Sequence, residues 1–405
     1  MAVGNIPSMD LPPVRGFRMA ATASGVKTNG TLDLLLVEME PHCSVAGVFT
    51  KNRVPAAPVQ LCRERASYNV AEGLIVNSGN ANASTGIQGM LDCKTMASAA
   101  ATALGVPAER IFVSSTGVIG EPLPVHHIVQ ATPELANQLT DDGWKEAAEA
   151  IMTTDTFPKG SFRQFEVMEH AATVVGIAKG SGMIHPDMAT MLGFLFTDSA
   201  ITSQALQVLL SRAVEASFNS ISVDGDTSTN DTVLVFASGR AEHALIDDPD
   251  DPQAQPLAQA LCQVCRDLAQ TIVRDGEGAT KFITVTVKGA GSETDAKQVG
   301  LTVAGSSLVK TACFGSDPNW GRIIAAVGNA GVELTPETIT IHLGDVLIVE
   351  QGGRADSYTE AAGQAVMDQE EITITIDLGL GDAESTVWTS DLSHEYVTIN
   401  ADYRT

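Results

Sequence analysis

Two apolar runs flank one irregular loop, and they fix the local architecture more tightly than anything else in the chain. Ala171-Ala172-Thr173-Val174-Val175-Gly176-Ile177-Ala178 reads as a buried strand ending at Lys179. Met191-Leu192-Gly193-Phe194-Leu195-Phe196-Thr197 reads as a second. Between them, glycines at 180 and 182 and the Pro186-Asp187 pair favour turns over a continuing strand. Thr190 therefore falls where the loop ends and a rigid element begins. A threonine hydroxyl is a poor nucleophile until a base takes its proton. Cutting the chain just before it would supply that base as a freed α-amine, and the small Ala189 leaves room for the hydroxyl to attack its carbonyl. The ordinary alternative is a strand-start threonine with no chemistry.

Strand and helix signals alternate along the rest of the chain. Gly73–Asn77 and Arg110–Ser114 read as strands, and Leu91–Leu104 as an Ala-rich helix stopped by Gly105 and Pro107. Asp141 or Asp142 is positioned to cap a helix running to about Thr153. Thr202–Ala216 and Gln255–Val273 have helical periodicity, the latter with Leu257, Leu261, Val264, Cys265, Leu268 and Ile272 on one face. Val233–Ala237, Phe282–Val287, Thr338–Leu343, Val346–Glu350 and Glu371–Asp377 read as strands. The fold class is α/β in the mixed α+β sense, with helices packed on a large sheet. The acidic, Pro-containing stretch Asp247–Gln255 is the one candidate linker.

The 405 residues carry a formal net charge of −25. That balance opposes a nucleic-acid partner, which needs a basic footprint, and an anionic membrane surface. No apolar run approaches a membrane span, and Met1–Leu11 lacks the regions of a signal peptide, so the expected location is the cytoplasm. Of six cysteines only Cys262 and Cys265 are closely spaced, on the helical pattern and without a second ligand pair, so no metal is expected. The run Asp224-Gly225-Asp226-Thr227-Ser228 resembles an aspartyl-phosphatase strand end. It lacks the later lysine and acidic pair, and Asp247-Asp248 follows too soon. Thr229 stands where a calcium loop needs glycine.

Acyl transfer through a threonine needs a nucleophile, a base, oxyanion donors and grips for the substrate. Thr116-Gly117 follows a strand, where a hydroxyl and a backbone N–H can aim at one point; a plain strand-end turn is the alternative. Lys179, at the end of the strand before the loop, is a candidate for a carboxylate and otherwise an ordinary solvent lysine. Glu277, between flanking glycines, can accept an ammonium or serve as a turn carboxylate. His185 is read as a loop histidine helping to set the geometry before Thr190.

Lys179-Gly180-Ser181-Gly182-Met183-Ile184, then Pro186 and Met188-Ala189-Thr190-Met191-Leu192, resembles the cleavage-site signature of the ornithine acetyltransferase (ArgJ) family of arginine biosynthesis. Asn77–Ala83, Ser114–Gly120, Ser222–Asp231, Asp275–Lys281, Asp317–Arg322 and Tyr396–Ala401 are similar to further family blocks, in the same order. The resemblance implies a fold related to self-processing aminopeptidases. It also implies a cut between Ala189 and Thr190, giving an alpha chain 1–189 and a beta chain 190–405 that assemble as a heterotetramer of two of each. It implies an oxyanion hole of Thr116 and Gly117. It implies a substrate pocket of Thr153, Lys179, Thr190, Glu277, Asn400 and Thr405, with Thr154 the alternative to Thr153. Because the family's C-terminus takes part, Asn400 and Thr405 must be tied down near the site. The implied reaction moves acetyl from N-acetylornithine to glutamate through acetyl-Thr190, with acetyl-CoA as a second donor and no cofactor. The rivals are a self-processing aminopeptidase or amidase that passes the acyl group to water, and a non-catalytic binding protein with an uncut chain.

Overall fold

The computed structural model describes residues 2–4, 6–185 and 191–401. It contains two sheets with helices packed on them, the mixed α/β class expected. The eight-stranded sheet runs in the order Ile111–Val118, Val70–Asn80, Leu34–Phe49, Thr232–Ala237, Leu192–Thr197, His170–Lys179 and Lys159–Val167, and Phe17–Thr22 pairs with the first part of Leu34–Phe49. The seven-stranded sheet runs Gly353–Arg354, Val346–Glu350, Thr340–Leu343, Glu371–Asp377, Phe282–Ala290, Ala383–Ser390 and Ile221–Ser222.

The two strands around the loop behave as their composition dictates. They pair antiparallel, with Lys179 opposite Leu192 at the loop end, while Leu192 also faces Thr232 in a parallel pair. Every residue of Leu192–Thr197 is buried. By the two-residue period of a strand, Leu192, Phe194 and Phe196 enter one core with Phe17, Phe112, Trp144 and Phe236. Leu195 enters the other, with the helices Ser203–Glu215 and Gln255–Arg274. Phe196 touches Phe17, Trp144 and Phe236, at centroid distances of 5.2, 5.2 and 5.6 Å. Each such buried ring contributes about 1.5–3 kcal/mol through removal from water.

Gln255–Arg274 buries Leu257, Leu261, Val264, Cys265, Leu268 and Ile272, the face its periodicity indicated. Gly176 permits this: a side chain there would meet Val264 and Leu268. Asp247–Gln255 is not a free linker, because Ile246 bridges to Ile201 and Ala254 is buried in the core beside the following helix. The helix near residue 145 spans Trp144–Ala150 and begins at Gly143 without a side-chain cap. Asp142 instead accepts the Thr140 hydroxyl, so neither Asp141 nor Asp142 caps it. The thiols of Cys43, Cys62, Cys93, Cys265 and Cys313 are buried and unpaired, and burial pushes each upward in pKa. Among the described residues no helix is long and apolar enough to cross a membrane.

Candidate active site

A cavity of about 230 Å³ opens where the loops at these strand ends converge. Thr116, Gly117, Thr153, Thr154, Lys179, Glu277 and Asn400 all line it, so both threonines of the 153–154 pair reach the cavity. Ala189, Thr190 and Thr405 lie outside the described residues. Their neighbour Met191 is described. Its N–H donates to Asp231 Oδ1 at 3.1 Å, and its carbonyl accepts the Thr232 N–H at 3.2 Å.

Thr116 and Gly117 end the strand Ile111–Val118, parallel to Val70–Asn80. Gly117 has φ +133°, and a side chain there would run into the Gly79–Asn80 backbone. Glycine is thus required on two counts, conformation and close approach. Asn230 ties this corner to the neighbouring strands by donating from Nδ2 to the carbonyls of Ala81 at 2.6 Å and Ser115 at 2.9 Å. Thr116 is itself buried, which puts its hydroxyl in a poorly solvated wall of the cavity.

A buried ion cluster underlies the part of the cavity lined by Thr153, Thr154 and Lys179. Lys159, with a side chain 0% exposed, lies 2.6 Å from Asp155 Oδ1 and 2.6 Å from Asp275 Oδ2. Asp155 also accepts the N–H of Gly180 at 2.7 Å and of Thr153 at 2.9 Å. Asp275 accepts the Thr156 N–H at 3.0 Å and its hydroxyl. One carboxylate therefore stitches the 153–156 turn to the backbone immediately after Lys179. Burial alone would raise the Asp155 pKa, but Lys159, Lys179 and the hydrogen bonds from Lys159 and Gly180 hold it well below the usual carboxylate range. Lys179 is 2% exposed. Burial pulls its ammonium below the ordinary lysine value, and Asp155 is the chief charge opposing that shift.

Glu277 enters from the turn after Gln255–Arg274, its N–H donating to the Ser181 carbonyl at 2.8 Å. Gly182 lets the two loops touch, since a side chain there would collide with the Glu277 carboxylate. The C-terminal helix His394–Ala401 is strapped down as the sequence argument required of Asn400. Asn400 Nδ2 donates to Glu277 Oε2 at 2.8 Å, and Ser393 Oγ donates to the Gly278 carbonyl at 2.6 Å. Tyr396 donates to Asp224 Oδ2 at 3.2 Å, and Asp224 also accepts the N–H groups of Met183 and Ile184. His185 Nδ1 lies 3.3 Å from Ser222 Oγ. Asp224, weighed above as a phosphatase nucleophile, is a clamp between the loop and the tail. Among the described residues no three His, Cys, Asp or Glu side chains gather as a metal site would need.

Asp155 and Lys159 carry no signal of their own in the sequence, and Asn230 and Asp275 stand out there only as members of longer blocks. Their polar side chains read as surface residues until the fold buries them.

The Asp155 shift gives a pH signature. A carboxylate with a depressed folded pKa stabilises the fold above its unfolded value, about 4, and that stability is lost as pH falls through the folded value. Asp155→Asn should lower stability at neutral pH by roughly 1.5–3 kcal/mol. It should also lose less on acidification than the parent chain. Urea midpoints between pH 7 and acid check this; equal acid losses in the two proteins would place the Asp155 shift in doubt.

Residues 18–405 match the ArgJ family. The chain is 50% identical over 406 aligned residues to the arginine biosynthesis bifunctional protein ArgJ of Pseudomonas fluorescens (strain Pf0-1), covering 100% of both chains. It is 49% identical over 406 residues to the protein of the same description from Pseudomonas syringae pv. tomato, again covering 100% of both. Among solved structures it is similar to arginine biosynthesis bifunctional protein argJ from Bacillus halodurans, with 42% identity, a TM-score of 0.49, and coverage of 50% of this chain and 95% of that one. A family match over residues 18–405, with identity at this level along the whole length, means that the chain belongs to the ArgJ family, the ornithine acetyltransferase and glutamate N-acetyltransferase enzymes of arginine biosynthesis.

Proposed function

We propose that this enzyme cuts itself between Ala189 and Thr190 and then moves acetyl from N-acetylornithine to glutamate through an ester on Thr190. The observation that carries the reading is one cavity that gathers Thr116, Gly117, Lys179, Glu277 and Asn400. The freed α-amine of Thr190 takes the hydroxyl proton, and Oγ attacks the acetyl carbonyl. The oxyanion is met by the Thr116 hydroxyl and the Gly117 N–H, preorganised in a water-poor wall. The proton passes to the leaving α-nitrogen, ornithine departs, and the amine of glutamate attacks acetyl-Thr190 to give N-acetylglutamate. Lys179 grips the α-carboxylate common to both substrates. Glu277, steadied by Asn400, takes the δ-ammonium of ornithine. Thr153, Thr154 and Thr405 complete the pocket.

Acetyl-CoA serves the same nucleophile as a second donor, which the word bifunctional in the relatives' description supports. The fragments 1–189 and 190–405 remain together as a heterotetramer of two alpha and two beta chains in the cytoplasm. Transfer rather than hydrolysis requires that glutamate exclude water from the ester.

Denaturing electrophoresis with N-terminal sequencing should find pieces of 189 and 405 − 189 = 216 residues, the second beginning at Thr190. Thr190→Ala should stay in one piece and be inactive. An uncut chain with full activity would end this mechanism. Thr116→Ala should lower kcat by ~10²–10³ while altering KM little, as expected for a donor acting mainly on the transition state. Normal turnover in a correctly cut Thr116→Ala enzyme would remove Thr116 from the catalytic groups.

A further inference from the structure

Three lysines surround the Asp155 carboxylate. Lys27 gives its ammonium to the carbonyls of Leu32 at 3.1 Å and Met152 at 2.9 Å. Lys159 lies between Asp155 and Asp275 at 2.6 Å from each. Lys179 is as deeply placed as Lys159, yet among the described residues no carboxylate forms an ion pair with it. This distribution needs a reason. A lysine ammonium in a low-dielectric wall is costly without a counter-ion. Asp155 is the carboxylate that acts on Lys179 most strongly, ahead of Glu277 and Asp231, and its Oδ1 already holds the N–H of Gly180, the next residue along.

Asp155 is kept from that pairing by its other partners. Its Oδ1 faces Lys159 and the Gly180 N–H, and its Oδ2 takes the Thr153 N–H. Asp275 holds Lys159 from the other side, so the ammonium stays between the two aspartates. We propose that Lys159 is a positioning residue for the acetyl-transfer reaction: by sequestering Asp155 it leaves the Lys179 ammonium open for a substrate carboxylate. The inference rests on the reading of Lys179 as the carboxylate grip. It adds a specificity element outside the cavity lining, in which a buried cation protects a second cation from neutralisation.

The test is steady-state kinetics on the processed enzyme with N-acetylornithine and glutamate. Lys159→Met keeps the side-chain stem and removes the charge, so Asp155 is released to pair with Lys179. KM for both substrates should rise on the order of ten- to a hundred-fold, the range for a lost charge-assisted contact, with kcat changed much less. The double variant Lys159→Met/Asp155→Asn should recover most of that loss, because the competing carboxylate is gone. A role confined to stability also predicts a more stable double variant, because a buried unpaired carboxylate is removed, but it leaves KM for both substrates unchanged in the folded, processed enzymes. No recovery in the double variant, or an unchanged KM in Lys159→Met, overturns the proposal. Should Lys159→Met fail to fold, Asp155→Asn alone decides: the proposal requires a far smaller KM change than Lys179→Met produces, and an equal rise overturns it. Lys179→Met tests the underlying grip separately, since unchanged KM values there refute that reading whatever Lys159 does.

Discussion

A lysine with no exposed side-chain surface, held between two aspartates, is the constraint on which one wall of the cavity depends. Lys159, Asp155 and Asp275 come from a strand start, the turn before it and the end of a long helix. Removing ions from water costs several kcal/mol for each, and the mutual attraction offsets this only when the remaining hydrogen-bonding capacity is met as well. Here it is met by the N–H groups of Thr153, Thr156 and Gly180, which are the backbone of the cavity wall. The ion cluster and the wall are therefore one structure. Neither can shift without leaving a buried charge partly unpaired.

From that anchor the rest of the site follows in sequence. Gly180 bonded to Asp155 directs the chain after Lys179 into Ser181-Gly182, where the Glu277 turn docks. Glu277 holds Asn400, and Asp224 holds both Tyr396 and the backbone of residues 183 and 184. The C-terminal helix, which would otherwise fray, becomes part of the cavity. On the far side, Asn230 joins the Thr116-Gly117 corner to the start of the strand Thr232–Ala237, beside Met191. The Thr116-Gly117 corner and Met191 are linked through adjacent residues, 230 and 231.

Much of this was legible in the residues. The strands around the loop, the helix Gln255–Arg274 with its buried face, and the strands of the C-terminal third follow from apolar periodicity, because local pattern and burial agree there. The long motifs located the cavity lining. What stayed hidden depends on long-range pairing. Nothing local in Leu34–Phe49 says that it will lie beside three other strands, with a register shift between Glu38 and Cys43. Nor does Ile221–Ser222 announce that it leaves the first sheet's company to close the edge of the second. Asp155 and Lys159 were invisible for a related reason. At a spacing of four they look like an exposed pair, and only the arrival of Asp275 from a point 116 residues away makes them a core. Asp141 and Asp142 failed as caps because a neighbouring hydroxyl, Thr140, competes for the Asp142 side chain.

The central claim is that acetyl passes through Thr190, and trapping that ester tests it most directly. The processed enzyme is mixed with N-acetylornithine in the absence of glutamate, quenched in acid, and its C-terminal fragment digested for mass spectrometry. The account predicts one acetyl group on the peptide beginning at Thr190, discharged on adding glutamate as N-acetylglutamate forms. Persistent absence of the acetyl group, alongside initial-rate plots that intersect rather than run parallel, would contradict it in favour of direct transfer between the two bound substrates.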